Sequence, residues 1–255
     1  MNTLSLFSSD APLGKGVQVI VEDPQGLIAL SKPVGVLSHP NQTGEEQRSL
    51  IKAAYSLDEE CFTYRNSKGE DERVWLLNRL DSATSGIILL ARTEALAVSI
   101  RKHFKARKVK KIYAALVFGR PLKPKEVWQD RMSVTRQRGQ IRTDSGAGHI
   151  PSEAHMQLVQ TNTNANPIIS LIQLDPKTGR SHQLRVQCRK HQLPILGDAT
   201  YGEFKLNRAY RKKTGRKRLF LHSFRTSFSY EWEGETHEFS AQAELPDAFN
   251  EALTS

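Results

Sequence analysis

Short apolar runs broken by turn-forming residues dominate the chain and predict strands more often than helices. Residues 17–22 and 27–31 are apolar stretches around Asp23-Pro24-Gln25-Gly26. Proline presets φ and glycine tolerates positive φ, so this segment reads as a β-hairpin. Residues 74–77 and 86–91 predict buried strands on either side of a polar loop, 78–85. Another strand is expected over 112–118, a pair over 153–160 and 167–174, and a late hairpin over 219–230 and 235–243 turning at Glu233-Gly234. Helical spacing occurs at 49–57 and again after Thr93, a suitable N-cap, where Leu96, Ala97, Ile100 and Phe104 form one stripe. Further helices are expected over 180–191, beyond the turn at 175–179, and after Pro246. Many strands, few helices and no regular βαβ alternation predict an α+β fold with a mixed, largely antiparallel central sheet flanked by helices and loops. No linker stands out. The expected organisation is an N-terminal extension, 1–16, and a single domain over 17–255.

Charge changes the picture. The 255 residues carry 37 Lys+Arg against 27 Asp+Glu, a formal net charge of +10. The surplus is concentrated in two runs without any acid, RKHFKARKVKK at 101–111 and KLNRAYRKKTGRKR at 205–218. Cations at this density release condensed counterions on meeting a phosphate backbone, which is the main sequence-independent term in nucleic-acid affinity. The second run is expected to be a mobile basic loop, 203–218, because its like charges repel one another without a counter-surface. Charge alone does not choose between DNA and RNA. At 38% hydrophobic and 25% charged residues, the composition excludes a mostly disordered chain. No apolar run approaches the roughly 20 residues of a membrane-spanning helix. The first 15 residues lack a basic start followed by an apolar stretch, and only two cysteines occur, far apart. A reducing cytoplasm is therefore the expected setting.

Several chemistries lack their motifs. There is no HExxH, no DxD cluster and no GxSxG, and Gly146-Ala147-Gly148 is not followed by the lysine of a phosphate loop. Neither metal nor cofactor is called for. Three polar stretches remain. Leu77-Asn78-Arg79-Leu80-Asp81-Ser82-Ala83-Thr84-Ser85-Gly86 lies between two predicted strands. An aspartate there can be chemical, or can accept backbone N–H groups in a turn. Lys111-Ile112-Tyr113 enters a strand, where a tyrosine can serve a site or simply keep its hydroxyl wet. Thr178-Gly179-Arg180-Ser181-His182-Gln183-Leu184-Arg185 crowds long polar side chains at a helix start, a place that also suits anion binding.

Together these stretches resemble the RluA family of RNA pseudouridine synthases, whose patterns run close to HRLDxxTSG, KxY and TGRxHQLR. Ser31-Lys32-Pro33-Val34-Gly35 is similar to the family's NKPxG, Pro194-Ile195-Leu196-Gly197-Asp198 with Tyr201-Gly202 to its PIxGDxxYG, and Leu221-His222-Ser223 to its LHA. The elements occur in order from about residue 17 to residue 243. The resemblance implies a catalytic set: Asp81 as the essential aspartate, Tyr113 packed against the target base, and Arg185 paired with the aspartate. It places Arg79 in the space vacated by the flipped nucleotide. Lys32, Thr84, Lys111, Arg180, His182 and Gln183 are expected among the RNA contacts, with Arg211, Lys212, Lys213 and Arg216 of the basic run. Asn78 departs from the family, which usually has histidine there. With a short segment before the first strand, the chain resembles the compact members that lack an accessory RNA-binding domain and act on tRNA, rRNA or both; a monomer is expected.

The chemistry is consistent with those groups. Uridine becomes pseudouridine when the C1′–N1 bond breaks, the uracil turns and C5 joins C1′, with no redox change. A carboxylate can stabilise the ribose, attack C1′ or remove a sugar proton. Burial alone would neutralise it, and an adjacent guanidinium opposes that. A paired uridine must be extruded to react. The competing expectation is an RNA-binding protein or chaperone of the same fold that has lost catalysis, with Asn78 as its one sign. A glycosidase would need a second carboxylate about 5–10 Å away, and none stands near the motifs.

Overall fold

A computed structural model describes Phe7 and residues 11–137, 140–145 and 149–254, and of 134–137 and 140–145 the backbone alone. Most of the 1–16 extension and the Gly-Ala-Gly stretch at 146–148 lie outside the described residues. One domain was expected; the chain groups into two compact units, Met1–Lys110 with Arg225–Ala243, and Lys111–Phe224 with Glu244–Ser255. The fold is α+β, built largely from antiparallel strand pairs.

In the first unit, β1 (Gln18–Glu22) pairs with β2 (Leu27–Lys32), and β2 with β6 (Ser85–Ala91). β6 also pairs with β5 (Asp71–Leu76), β5 with β4 (Cys61–Arg65), and β4 with the short β3 (Ala54–Ser56). The predicted turn between β1 and β2 is closed by Asp23, whose Oδ1 accepts from the Leu27 N–H at 2.7 Å, with Gly26 at φ +96°. Helix α1 (Glu94–Lys105) follows β6, and the Thr93 hydroxyl accepts from the Leu96 N–H at 3.3 Å. Its expected stripe holds: Leu96, Ala97 and Ile100 are buried and Phe104 packs beside them. The same core receives Phe228, Tyr230, Phe239 and Ala241 from the paired segments of β12 (Leu221–Trp232) and β13 (Glu235–Gln242).

The helix expected over 49–57 does not form. Leu50 and Ile51 are both fully buried, and the backbone around them is already engaged: Gly14 N–H donates to the Leu50 carbonyl at 2.9 Å and Leu50 N–H to the Leu37 carbonyl at 2.8 Å. Those tertiary bonds take the groups an intrahelical ladder would use.

The second unit is an antiparallel array in which β7 (Lys110–Phe118) pairs with β11 (Ile169–Pro176), β11 with β10 (Ile150–Asn162), β10 with β8 (Lys125–Gln137), and β8 with β9 (Gln140–Ser145). Helix α2 (Gln183–Lys190) starts beyond the turn after β11. Ala114, Leu116, Ile169, Leu171 and Leu196 form the core with Phe220, and α4 (Asp247–Thr254) covers it with Phe249 and Leu253.

The basic run is a correction. It forms helix α3 (Phe204–Thr214) instead of a loop. Leu206 and Tyr210, one helical turn apart, pack on the core, and Asn207 ties the helix to the preceding loop through Gly197 N–H at 2.7 Å and the Asp198 carbonyl at 3.0 Å. Gly215 ends it at φ +73°, donating to the Arg211 carbonyl at 2.8 Å. Arg211, Lys212 and Lys213 fall in the last turn, where the helix dipole offsets their repulsion. The absence of acids within the run hid the counter-charge, which comes from elsewhere in sequence: Arg216 pairs with Glu251 of α4.

Candidate active site

Asp81 belongs to the first unit, in the loop that carries the chain from β5 to β6. That loop is pinned from both flanks. Asn78 Oδ1 accepts from the Leu89 N–H at 2.8 Å, so the residue that departs from the family pattern braces the loop's entrance. The Ser38 hydroxyl accepts from the Leu80 N–H at 3.0 Å and donates to the Leu80 carbonyl at 2.7 Å. Thr84 N–H then donates to the Asp81 carbonyl at 2.9 Å, closing a tight turn around the aspartate. Beneath it the Lys32 ammonium donates to the carbonyls of Val36 at 2.8 Å, Pro33 at 3.1 Å and Ser82 at 3.2 Å. Burial lowers its pKa to about 7, and the negative charge of Asp81 works against that fall. Asp81 itself is half-buried, with Arg79 exposed beside it on the same loop.

Tyr113 and Arg185 belong to the second unit. Tyr113, half-buried near the start of β7, pairs in register with Leu174. Burial lowers the pKa of the neighbouring Lys111, and the charge of Asp175 opposes this. Arg185 projects from α2 into a buried ion pair. Its Nε donates to Asp198 Oδ2 and its Nη2 to Asp198 Oδ1, both at 2.8 Å. The Asp198 side chain is 1% exposed and that of Arg185 9%. Burial works against the Asp198 charge, but Arg185 and the Tyr201 and Thr200 N–H groups hold its carboxyl below the usual range. The guanidinium lies 5.0 Å from the Tyr201 ring centroid, and the Tyr201 hydroxyl meets His182 Nδ1 at 2.8 Å. His182, at φ +54°, is the residue from which α2 starts.

The expected RNA contacts divide. Arg79, Arg180, Arg211, Lys212 and Lys213 are exposed, while His182 and Lys111 are partly so. Lys32, at 0% exposure, Thr84 and Gln183 are buried. Each has an internal task. Lys32 satisfies three carbonyls and Thr84 closes the Asp81 turn. Gln183 accepts from Thr178 Oγ1 at 2.8 Å and Arg180 N–H at 3.1 Å, and donates to the Glu153 carbonyl at 3.0 Å and Gln187 Oε1 at 3.1 Å, using every hydrogen-bonding group it has. Arg216 is engaged by Glu251 instead of facing outward alone.

Two functional candidates were given no role by sequence reasoning. Asp198 was visible within Pro194-Ile195-Leu196-Gly197-Asp198, where an acid after an apolar run is a signal of a buried partner. Ser38 carries no such signal. Among the described residues, no group of three His, Cys, Asp or Glu side chains could hold a metal ion. No helix there is long and apolar enough to cross a membrane.

Known proteins resemble this chain over most of its length. The RNA pseudouridylate synthase family model matches residues 26–190, which contain Asp81, Tyr113 and Arg185. The ribosomal large subunit pseudouridine synthase C of Rickettsia conorii is 31% identical over 232 residues, covering 89% of this chain and 68% of that protein. The tRNA pseudouridine synthase C of Pasteurella multocida is 30% identical over 229 residues, covering 84% of this chain and 86% of that one. In fold, human RNA pseudouridylate synthase domain containing 4 superposes with a TM-score of 0.64 at 22% identity, covering 92% of this chain and 91% of that one. With the family model spanning more than half of the chain, this protein belongs to the RNA pseudouridine synthases, isomerases that convert uridine to pseudouridine within RNA.

Proposed function

We propose that the protein isomerises specific uridines in structured tRNA, rRNA or both, with Asp81 as the catalytic carboxylate. The observation that carries this reading is the Asp81 turn: a half-buried carboxylate on a loop whose flanks are tied by Asn78, Ser38, Thr84 and Lys32. A group fixed in this way loses little entropy when it meets the reacting sugar. In the reaction the C1′–N1 bond breaks, the uracil turns about its ring, C5 bonds to C1′, and the C5 proton leaves as N1 gains one. Asp81 stabilises or captures C1′. By the family resemblance, Tyr113 serves the extruded base, Arg185 the catalytic carboxylate, and Arg79 the space the nucleotide leaves. Arg180, His182 and Lys111, with Arg211, Lys212 and Lys213 on α3, take phosphates. The protein acts as a monomer in the cytoplasm. The choice of RNA draws on relatives named for both ribosomal and transfer RNA. Asn78 gives no support to a protein without catalysis, since its carboxamide holds the loop in place.

Asp81→Asn keeps the shape of the turn and removes the charge. It is expected to lower single-turnover conversion of uridine in bulk tRNA or rRNA by at least about 1,000-fold, with RNA affinity and the unfolding midpoint little changed. Turnover within tenfold of wild type overturns the assignment. Mapping pseudouridine in cellular RNA with and without the protein identifies the target.

A further inference from the structure

Asp198 stands outside the catalytic set, yet its carboxylate is fully engaged. Both of its oxygens hold Arg185, and Oδ1 also accepts from the N–H groups of Thr200 at 2.8 Å and Tyr201 at 2.9 Å. The loop around it admits little change. Gly197 has φ +75°, and a Cβ there would stand 1.6 Å from the Arg218 carbonyl oxygen. A Cβ at Gly202 would stand 2.3 Å from the Asp198 carbonyl oxygen. The same turn places the Tyr201 ring against the guanidinium, and Tyr201 in turn is held by His182.

A guanidinium is planar, so two parallel hydrogen bonds along one edge set its plane and direction together. The Nε–Nη2 edge of Arg185 is the one Asp198 grips, and the Tyr201 ring borders the guanidinium. Arg185 is thereby held in one orientation before any RNA arrives. Misplacing a group in a preorganised site by about 1 Å costs on the order of 100-fold in rate.

We infer that Asp198 is a positioning residue for the isomerisation, acting through Arg185, with the Tyr201 ring as the second support of the same guanidinium. This rests on the role given to Arg185 under Proposed function. It adds a residue that touches neither base nor sugar.

The test is a double-mutant cycle on the full chain with single-turnover kinetics and RNA affinity read separately. Asp198→Asn retains an oxygen for the Thr200 and Tyr201 N–H groups but loses the charge-assisted grip. It is expected to lower the rate of the chemical step by about 100-fold and to leave RNA affinity within about threefold. In an Arg185→Met background, Asp198→Asn is expected to cost no more than about threefold further, because the group it positions is gone. A wild-type rate for Asp198→Asn overturns the inference, as does a full additional loss in the Arg185→Met background. If Asp198→Asn does not fold, Asp198→Glu keeps the charge one methylene out of place. Its rate is expected to fall at least tenfold, and a wild-type rate in that folded variant is equally fatal. Failure of the parent reading looks different: Asp81→Asn or Arg185→Met alone would then turn over normally.

Discussion

Lys32 illustrates how a single buried charge can hold a loop in place. Its ammonium is buried under the Asp81 loop and satisfies three backbone carbonyls. Lys32→Met leaves those carbonyls without their donor and is expected to cost about 1–3 kcal/mol of stability, measured by urea unfolding at pH 6. The pH dependence has a definite sign. The folded pKa of about 7 lies below the ordinary lysine value of 10.5, so between those values the unfolded chain binds a proton that the folded one has released. Stability from this group therefore rises as pH increases from about 7 to about 10.5. The difference in unfolding free energy between wild type and Lys32→Met should track that window; a pH-independent difference would show that the lysine titrates normally. Gly197 makes a harder demand. Gly197→Ala combines positive φ with a clash against backbone that has no flexible side chain to yield, and it is expected to destabilise by more than about 3 kcal/mol, read as loss of the cooperative transition.

Among the helices, α3 presents the clearest case of charge organised by secondary structure. As a loop, its cations would be ordered only on binding. As a preformed helix, Arg211, Lys212 and Lys213 are displayed on one short stretch of surface at no further ordering cost for the backbone. Replacing all three by glutamine should leave the Asp81 chemistry intact at saturating RNA. It should weaken RNA binding and reduce the slope of log affinity against log salt by about 2, measured by titration from low to moderate salt. An unchanged slope would show that these side chains do not meet phosphate. Helix α1 uses its charge differently: Arg101 donates to the Leu76 carbonyl at 2.8 Å and pairs with Glu60, tying the helix to the strand that leads into the Asp81 loop. A basic run in sequence therefore mixes anchoring cations with displayed ones, and only their partners separate the two.

The two compact units are not consecutive pieces of chain. The first needs Arg225–Ala243 to complete a core begun near residue 17, because Phe228, Tyr230, Phe239 and Ala241 pack with Leu27, Leu89 and Ile100. The fragment 1–110 should consequently lack cooperative unfolding and dispersed amide NMR signals. Adding residues 225–243 through a short linker should restore both. A folded 1–110 fragment would show that the late hairpin contributes little to that core. The net charge of +10 belongs to the molecule as a whole, so general attraction to RNA should survive loss of any one cationic group and fall steeply with salt.

Strand periodicity, the Asp23–Gly26 turn, the Thr93 cap and the Glu233-Gly234 turn were legible from the chain because each depends on residues within one or two turns of one another. The Asp81 loop was legible too, as a polar stretch between two apolar runs, and the ordered motifs made Asp81, Tyr113 and Arg185 candidates. Tertiary structure decided what those local patterns left open. Whether Leu50 and Ile51 lay in a helix depended on distant carbonyls and N–H groups competing for their backbone. The burial of Lys32 and Gln183 was likewise a matter of long-range packing, since a long polar side chain reads the same in sequence whether it meets phosphate or a protein carbonyl. Asp198 as the partner of Arg185 spans 13 positions, and Glu251 as the partner of Arg216 spans 35. Periodicity carries short-range geometry; the pairing of charges is set by which segments the folded core brings side by side.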